Sequence, residues 1–324
     1  MKPVKKVLVI KLGAIGDFVL AFPAFERIRR AHPDAKITLL TTQPFEALAR
    51  SSPFFNVIEA DGAPSNPATW LGLVVRLRRA GYDLVYDLQN DARTNLYFQA
   101  LRPFAPRWSG TAWGAKLPHR NPHRSKMHPL ERHAEQLQDA GIWPDAPVRP
   151  LSAAPPDISW ILAKAAQPRS FSAASTQRPV VLLVPGASPG HPEKRWPTDY
   201  YGAFAKRMTD AGFDIVVIGA LTESDLAQTI QRKATRARDL TGRTDFAHIA
   251  ALGARAALAV GNDSGPMHLI AAAGAPTISL FSGASDPAVT GPRGHVTVLH
   301  APQLKDLSVD TVAQTALALA KQRP

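Results

Sequence analysis

The stretch VLVIKLGAIGD at residues 7–17 decides the fold of the N-terminal half. Four apolar residues predict a short buried strand, a glycine turn follows, and residues 17–32 repeat apolar side chains at helical spacing. A second apolar run at 36–42 completes a β-α-β unit, so the strands are expected to be parallel. In such a sheet the turn after the first strand forms one wall of the ligand crevice, which makes Asp17 a candidate for chemistry.

The same pattern restarts after the middle of the chain. Residues 167–179 are rich in Ser, Gln and Pro and lack periodicity, which is typical of a linker. The sequence therefore predicts an α/β protein with two doubly wound, Rossmann-like domains facing a central cleft, 1–166 and 180–324. The last helix is a candidate to pack back on the N-terminal domain. Strands of the second domain, with helices between them, are predicted at 180–188, 214–220, 256–263 and 276–283.

Composition restricts the compartment and the partners. The 324 residues include no cysteine, which excludes disulfides, thiol nucleophiles and cysteine-based zinc sites. The first apolar run has four residues before a lysine, too few for a signal peptide, and no run approaches the roughly 18 needed to span a bilayer. We therefore expect a cytoplasmic protein. The formal charge of +12 favours nucleic acid, anionic lipid or a phosphorylated substrate as partner.

Two common nucleotide-binding motifs are absent. Gly13 and Gly16 give only G-x-x-G, and the second strand ends in two threonines where a dinucleotide fold has an acid. The chain contains no G-x-x-x-x-G-K-[ST] sequence, which argues against a P-loop NTPase. A tight turn between strand and helix would explain Gly13 equally well.

A later glycine turn, VGNDSGPMHLIAAAG at 260–274, runs from a strand into a helix capped by Asp263 or Ser264. Free N–H groups at such a helix start form an anion site. A purely structural capped helix is the alternative, but it gives no reason for His268. The loop PGASPGHPEKRWP at 185–197 offers exposed amides and Lys194, which suit a diphosphate, or is a Pro-rich surface connection.

These three stretches, in this order, resemble glycosyltransferase family 9, the ADP-heptose:lipopolysaccharide heptosyltransferases. MHPLERHAEQLQDAGI at 127–142 is similar to the connecting region of that family. The resemblance implies a GT-B fold and an inverting transfer without a required metal, with Asp17 as general base and Lys194 stabilising the departing diphosphate. The residues implied to bind the nucleotide-sugar donor are Ser188, Glu223, Asp263, Ser264, Gly265 and His268. Glu223 is equally explained as an acid at a helix N-terminus.

A basic stretch supplies the acceptor side of this reading. From Arg102 to Arg132 there are seven Lys/Arg and one acid, Glu131. A lipopolysaccharide core precursor carries phosphates and carboxylates and lies on an anionic leaflet, and Arg and Lys bind both. We therefore expect peripheral contact with the inner face of the inner membrane; a solvated loop is the alternative. The anion or acceptor-side candidates are Lys11, Gly13, Gly16, Arg120, Arg124 and Lys126.

A metal site is not expected. Pro122 stands between His119 and His123 and breaks any helical face that these two could share with His128, and no cysteine or cluster of acids completes a ligand set. The sequence thus predicts no cofactor beyond the nucleotide-sugar substrate.

Two other functions stay open from the sequence. Nothing in it identifies adenine or heptose directly, so another nucleotide sugar and another surface glycan are possible substrates. A non-enzymatic polyanion-binding module would use the charge but leaves Asp17 and the helix at 264 unexplained. The chain shows no helix-turn-helix or RNP signature, so nucleic acid is not an expected partner.

Overall fold

The computed structural model describes residues 3–144, 154–165, 178–188 and 190–321. The chain divides into two compact units, Met1–Ser152 and Ala153–Pro324. The proposed linker at 167–179 falls mostly on residues 166–177, outside the described ranges, so the domain limits derived from the sequence stay a prediction.

The first unit is built from six strands and six helices. The strands are β1 Lys6–Ile10, β2 Lys36–Leu40, β3 Val57–Glu59, β4 Leu84–Asp87, β5 Arg107–Gly110 and β6 Leu117–Pro118. The helices are α1 Ile15–Val19, α2 Phe22–Ala31, α3 Gln43–Ser51, α4 Pro67–Ala80, α5 Ala92–Leu101 and α6 Pro129–Asp139. The strand order is β3-β2-β1-β4-β5-β6 and every pair in it is parallel. This is the doubly wound order that the sequence predicts.

The helix predicted over residues 17–32 is interrupted. It forms as α1 and α2, separated at Leu20 and Ala21. Pro23 explains the break, because proline has no N–H to donate to the carbonyl of Val19 and its ring would clash with that carbonyl. The single helix expected from the apolar spacing was therefore wrong. Helix α4 ends at Gly81, which adopts φ +61°, a left-handed conformation that glycine adopts without strain.

The second unit repeats the architecture. Its strands are β7 Val180–Val184, β8 Asp214–Val217, β9 Arg238–Asp239, β10 Leu258–Asn262, β11 Thr277–Phe281 and β12 Val296–His300. Its helices are α7 Ser159–Ala165, α8 Thr198–Asp210, α9 Ser224–Lys233, α10 Phe246–Arg255, α11 Gly265–Ala272, α12 Pro287–Thr290 and α13 Val309–Ala320. The order β12-β11-β10-β7-β8-β9, again parallel, equals that of the first unit when each is counted from its own first strand.

Two helices at the ends of the second unit complete it. Helix α7 packs against α10, and α13 packs against α8 and β10. Val312, Ala313 and Ala316 of α13 are buried in the same core as Trp196 and Phe204. The core of this unit thus extends to the C-terminal helix, whose return to the first domain stays a prediction.

The central strands of both sheets are buried on both faces. Residues 7–10 of β1 and 181–183 of β7 are inaccessible to solvent, which explains why they read as unbroken apolar runs rather than as alternating patterns. In this topology the strand order reverses between β1 and β4 and between β7 and β10. Ligands of such folds bind at the carboxyl ends of the strands at this switch point, so functional side chains are expected there. Among the described residues, no helix is long and apolar enough to cross a membrane.

Candidate active site

The switch point of the first unit holds two buried charged groups. Ile10 is paired in register with Asp87 at the end of β4, and Lys11 follows β1 directly. Both Lys11 and Asp87 are buried. The amides of Gln89 and Asn90 donate to Asp87 Oδ1 at 3.1 and 2.8 Å. The carboxyl ends of β1 and β4 therefore carry charged side chains, although the strands themselves are apolar.

Asp17 lies at this edge of the sheet, in α1. Its Oδ2 is 3.8 Å from Nζ of Lys11 and 3.6 Å from Nη2 of Arg132. The Asp17 side chain keeps 39% of its surface exposed. Two cations therefore hold the carboxylate in place and leave it open to solvent, which is the geometry required of a group that exchanges a proton with a bound molecule.

Burial shifts the pKa values of the groups around Asp17. Desolvation lowers the pKa of Lys11 to about 8, partly offset by the charge of Asp17. Desolvation also raises the pKa of Asp87 to about 6 and lowers that of Arg124 to about 10. Burial lowers the pKa of His133 well below its usual range, and the charge of Lys11 adds to this effect. His133 is therefore neutral in this cluster.

Helix α6 ties the cluster to the sheet. Gln136 is buried, and its Nε2 donates to the carbonyls of Asp87 at 2.9 Å and Ser109 at 3.2 Å. Its Oε1 accepts from Asn90 Nδ2 at 2.8 Å, and Nε2 of His133 lies 3.2 Å from the carbonyl oxygen of Leu88. Because Arg132 lies on the same helix, these bonds also fix the position from which it reaches Asp17.

The acceptor-side candidates fall into two groups. Arg124 is largely buried and contacts Nδ1 of His119, and its charge is felt by Lys11. Gly13 and Gly16 lie beside Asp17 in the chain; a methyl group at Gly13 would lie 3.2 Å from the Phe45 ring. The remaining two, Arg120 and Lys126, are exposed, and neither forms an ion pair with a described residue.

The three histidines considered for a metal are dispersed. Nε2 of His119 lies 3.3 Å from Oε1 of Glu135, His123 is exposed, and Nδ1 of His128 accepts from the amide of Leu130 at 3.4 Å. Over the ranges that the structure describes, no group of three or more His, Asp or Glu residues is placed to hold a metal ion.

The switch point of the second unit is organised by a neutral residue, Asn262 at the end of β10. Its Nδ2 donates to the carbonyls of Pro185 at 2.8 Å and Gly186 at 3.2 Å. Its Oδ1 accepts from the amide of Trp196 at 3.0 Å and from the hydroxyl of Tyr201 at 3.0 Å. One buried side chain thus joins the turn after β7, the 185–197 loop and α8.

Two charged residues of this second site form an ion pair. Lys194 Nζ is 2.8 Å from Oδ2 of Asp263, and both side chains are largely buried. Arg195, the next residue, is exposed. The pair places one ammonium group and one carboxylate directly before α11, within the sequence that suggested an anion site.

The start of α11 differs in detail from the expected cap. Ser264 occupies the N-cap position, as predicted, but its side chain makes no capping hydrogen bond. Its Oγ is buried and has no hydrogen-bond partner within the described residues. His268 is buried in the first turns of the helix. The helix start thus presents a hydroxyl group and first-turn amides that are not used by a side-chain cap.

Glu223 lies where the turns after β7 and β8 meet. Its Oε2 accepts from the amide of Ala220 at 2.8 Å. A methyl group at Gly186 would lie 1.9 Å from Oε1, and one at Gly219 would lie 2.6 Å from Oε2. These glycines therefore make room for the carboxylate. Ser188 is exposed at the end of a described range, next to Pro189, which lies outside it.

Three residues of these sites were missed by sequence reasoning: Asp87, Arg132 and Asn262. Asp87 and Asn262 end strands at the switch points, a position that strand order would have revealed. Arg132 was counted only as the limit of the basic stretch. Its place beside Asp17 depends on where α6 packs, and the sequence does not show how close this helix comes to Asp17.

Two successive units with this strand order, one with a flanked carboxylate and one with a lysine before a helix start, are typical of the GT-B fold of many glycosyltransferases. Comparison with known proteins supports this class. The family model described as "Glycosyltransferase family 9 (heptosyltransferase)" matches residues 70–308. The chain belongs to glycosyltransferase family 9 and is a glycosyltransferase. The resemblance inferred from the sequence motifs is thereby confirmed.

Several relatives of the chain are heptosyltransferases. The chain is 28% identical over 317 residues to lipopolysaccharide heptosyltransferase 2 of Escherichia coli K12, covering 90% of this chain and 86% of that protein. The structure of E. coli ADP-heptose LPS heptosyltransferase II matches with a TM-score of 0.79 at 24% identity, covering 98% of this chain and 99% of that one. The E. coli heptosyltransferase WaaC, solved with ADP, matches with a TM-score of 0.72 at 19% identity, covering 97% and 99%. These two structures confirm the GT-B fold.

Proposed function

We propose that the protein is an inverting heptosyltransferase that moves a heptose from ADP-heptose to an acceptor in the inner core of lipopolysaccharide. The substrate is proposed from the relatives. These are lipopolysaccharide heptosyltransferases, and the match covers most of their length and most of this chain. ADP as the nucleotide rests on two solved structures with the same fold, E. coli ADP-heptose LPS heptosyltransferase II and the heptosyltransferase WaaC with ADP. Another nucleotide sugar is the competing substrate, and the experiment below separates the two.

The position of Asp17 carries the mechanism. Its carboxylate is partly exposed and is flanked by Lys11 and Arg132 at 3.8 and 3.6 Å. As general base it would take the proton from the acceptor hydroxyl while that oxygen attacks the anomeric carbon. The bond from this carbon to the diphosphate breaks on the opposite face, so the configuration inverts. Lys11 is buried and would act by positioning Asp17 rather than by binding the acceptor.

The second unit would hold the donor. The amides of Ser264 and Gly265, at the positive end of the α11 dipole, would bind the diphosphate, with His268 beside it. Lys194 would neutralise the charge that grows on the departing diphosphate. This would separate Lys194 from Asp263, whose carboxylate would then accept hydrogen bonds from hydroxyls of the sugar. The unused Ser264 hydroxyl is one further donor for the phosphate.

Two more residues complete the proposed donor site. The Glu223 carboxylate, close to Gly186 and Gly219, would accept hydrogen bonds from both ribose hydroxyls. Ser188, on the same loop as Lys194, would contact a phosphate. Gly13 and Gly16 would let the acceptor approach the backbone beside Asp17. Arg120, Arg124 and Lys126 would bind the phosphates and carboxylates of the acceptor.

The setting follows from the acceptor. A lipopolysaccharide core precursor is anchored in the inner membrane, so the enzyme would work in the cytoplasm at the inner face of that membrane. The reaction needs no metal in this proposal, because lysine and helix amides supply the positive charge. Transfer should therefore persist after treatment with EDTA.

The test is a titration of the protein with ADP, UDP and GDP while its melting temperature is followed. A ligand that binds the native state stabilises it by mass action, so ADP should raise the melting temperature and the other two should not. Transfer from ADP-heptose to a heptose-free core acceptor then tests the reaction itself. Stabilisation by UDP alone would overturn the ADP-heptose assignment. Binding of ADP without transfer of heptose would show that the proposed acceptor is wrong.

A further inference from the structure

Two large aromatic side chains of the first unit point into solvent. Phe104 is 93% exposed and Trp113 is 80% exposed. Neighbours in the same segment, Phe98 and Trp108, are buried in the adjacent apolar core. The chain thus buries one set of aromatic residues and presents the other, which is typical of an interaction surface.

The two residues with exposed rings both lie near Arg102. Gln99 Nε2 donates to the carbonyl of Trp113 at 3.0 Å, which fixes the loop on α5. The Arg102 guanidinium lies 5.4 Å from the centroid of the Trp113 ring. Phe104 follows Arg102 by two residues, so its Cα is within about 7 Å of that of Arg102. Trp113, Arg102 and Phe104 are therefore neighbours.

Helix α5 extends this face. Leu96 is 59% exposed and lies one turn before Gln99, and Arg93 lies one turn before Leu96. From α4, Arg78 Nη2 donates to the carbonyl of Ala100 at 2.6 Å, which brings a third arginine to the end of α5. We call this the aromatic–basic surface, consisting of Arg78, Arg93, Leu96, Arg102, Phe104 and Trp113.

The charge of this surface is not neutralised. Residues 92–130 include seven Lys/Arg and no acid. Within the described ranges, none of Arg78, Arg93 and Arg102 forms an ion pair with a carboxylate. The face therefore combines large apolar side chains with a positive potential, and its partner should be both apolar and anionic.

We propose that the aromatic–basic surface docks the protein on a bilayer of anionic phospholipid. Tryptophan and phenylalanine enter the boundary between headgroups and acyl chains, and arginines attract the negative surface. Binding is peripheral, and each component alone is too weak for stable attachment, which explains why both occur on one face. The inference extends the proposed function by naming the surface that contacts the membrane. It rests on the proposed function only for the reason why the protein binds a membrane; the binding itself is argued from the surface.

The test is co-sedimentation of the full chain with vesicles. It needs neither donor nor acceptor, so its result does not depend on whether the proposed function is correct. Vesicles of phosphatidylglycerol and phosphatidylethanolamine should bind the protein, and phosphatidylcholine vesicles should not. Phe104→Ser/Trp113→Ser should weaken binding about a hundredfold, since each side chain contributes about a factor of ten. Arg93→Gln/Arg102→Gln should weaken it about tenfold and reduce its salt dependence.

Matched controls come from the second unit. Leu221→Ser removes a side chain that is 72% exposed, and Lys206→Gln/Arg236→Gln removes two exposed cations; both variants should bind like the wild type. Thermal unfolding checks that every variant is folded. Equal loss of binding in the controls, or undiminished binding by Phe104→Ser/Trp113→Ser, would overturn the proposal.

A second measurement keeps the assignment to Trp113 specific. Lipids brominated near the headgroup should quench part of the tryptophan fluorescence of the wild type, and this part should be absent in Trp113→Phe. Loss of a dimer in sedimentation equilibrium by Phe104→Ser/Trp113→Ser, without loss of vesicle binding, would assign the face to a second copy of the chain and overturn the lipid proposal.

Discussion

The two units have the same strand order and yet carry different chemistry at their switch points. In the first, Lys11 and Asp87 are buried charges, and a helix from outside the sheet, α6, supplies Gln136 and Arg132. In the second, a neutral amide of the sheet itself, Asn262, makes the connections. The topology thus fixes where a site forms, and the side chains at the strand ends decide whether its buried polar groups are charged, as at Lys11 and Asp87, or neutral, as at Asn262.

The largest effect should follow from Asp17→Asn. An amide cannot accept the acceptor proton, so turnover should fall about 10³-fold, the usual contribution of a general base. Affinity for ADP, measured by calorimetry, should not change, because the proposed donor groups lie in the other unit. The exposed Asp34 provides the control Asp34→Asn, with normal turnover expected. Near wild-type turnover of Asp17→Asn would remove the base assignment and with it the distinction between the two units.

The next largest effect should come from Lys194→Ala. Removing one stabilising cation costs on the order of 3 kcal/mol in comparable sites, so kcat/KM should fall roughly 150-fold and ADP should bind more weakly. Arg195→Ala is a matched control, since this neighbour is exposed and should matter little. Equal effects of the two substitutions would show that the loop acts by general charge and not through the buried Lys194–Asp263 pair.

The ionic first site should give a pH dependence of stability. The pKa of Lys11 is about 8 in the folded protein because of burial, and about 10.4 in an unfolded chain. Between these values the unfolded chain binds more protons. The free energy of unfolding should therefore rise with pH from about 8 to about 10.4, by at most roughly 3 kcal/mol.

This rise can be measured by urea denaturation across that pH range. Lys11→Met should abolish it, whereas Lys36→Met, a change at an exposed lysine of the same sheet, should preserve it. A flat profile for the wild type would contradict the buried charge on Lys11.

The smallest effect tests the neutral site. Asn262→Ala removes four hydrogen bonds and takes from the amide of Trp196 and the carbonyl of Pro185 their partner in this site, which should cost about 2 kcal/mol of unfolding free energy. The comparison is Asn66→Ala, which removes the exposed cap of α4 and should cost about 1 kcal/mol. If Asn66→Ala cost more, Asn262 would not be the organising residue of the second switch point.

Much of the fold was predictable because it depends on local patterns. Central strands such as β1 and β7 are continuous apolar runs, and the glycine after α4 marks its end. The elements that the sequence did not predict correctly are short or depend on context. Strands β5 and β6 have only four and two residues and were not predicted. Pro23 divides a helix whose apolar spacing continues on both sides, so one helix was expected where two form. The family was also predictable, since three motifs in a fixed order carry it.

The sequence by itself determined the parallel α/β class, the two-part organisation and the motifs around Asp17, Lys194 and Ser264. Tertiary structure alone placed Arg132 beside Asp17, joined four partners through Asn262, and left Phe104 and Trp113 in solvent. The physical reason is the separation along the chain over which each interaction acts. Periodicity and capping act between residues a few positions apart, whereas these contacts join residues 61 to 115 positions apart along the chain, and burial depends on every element packed around a side chain.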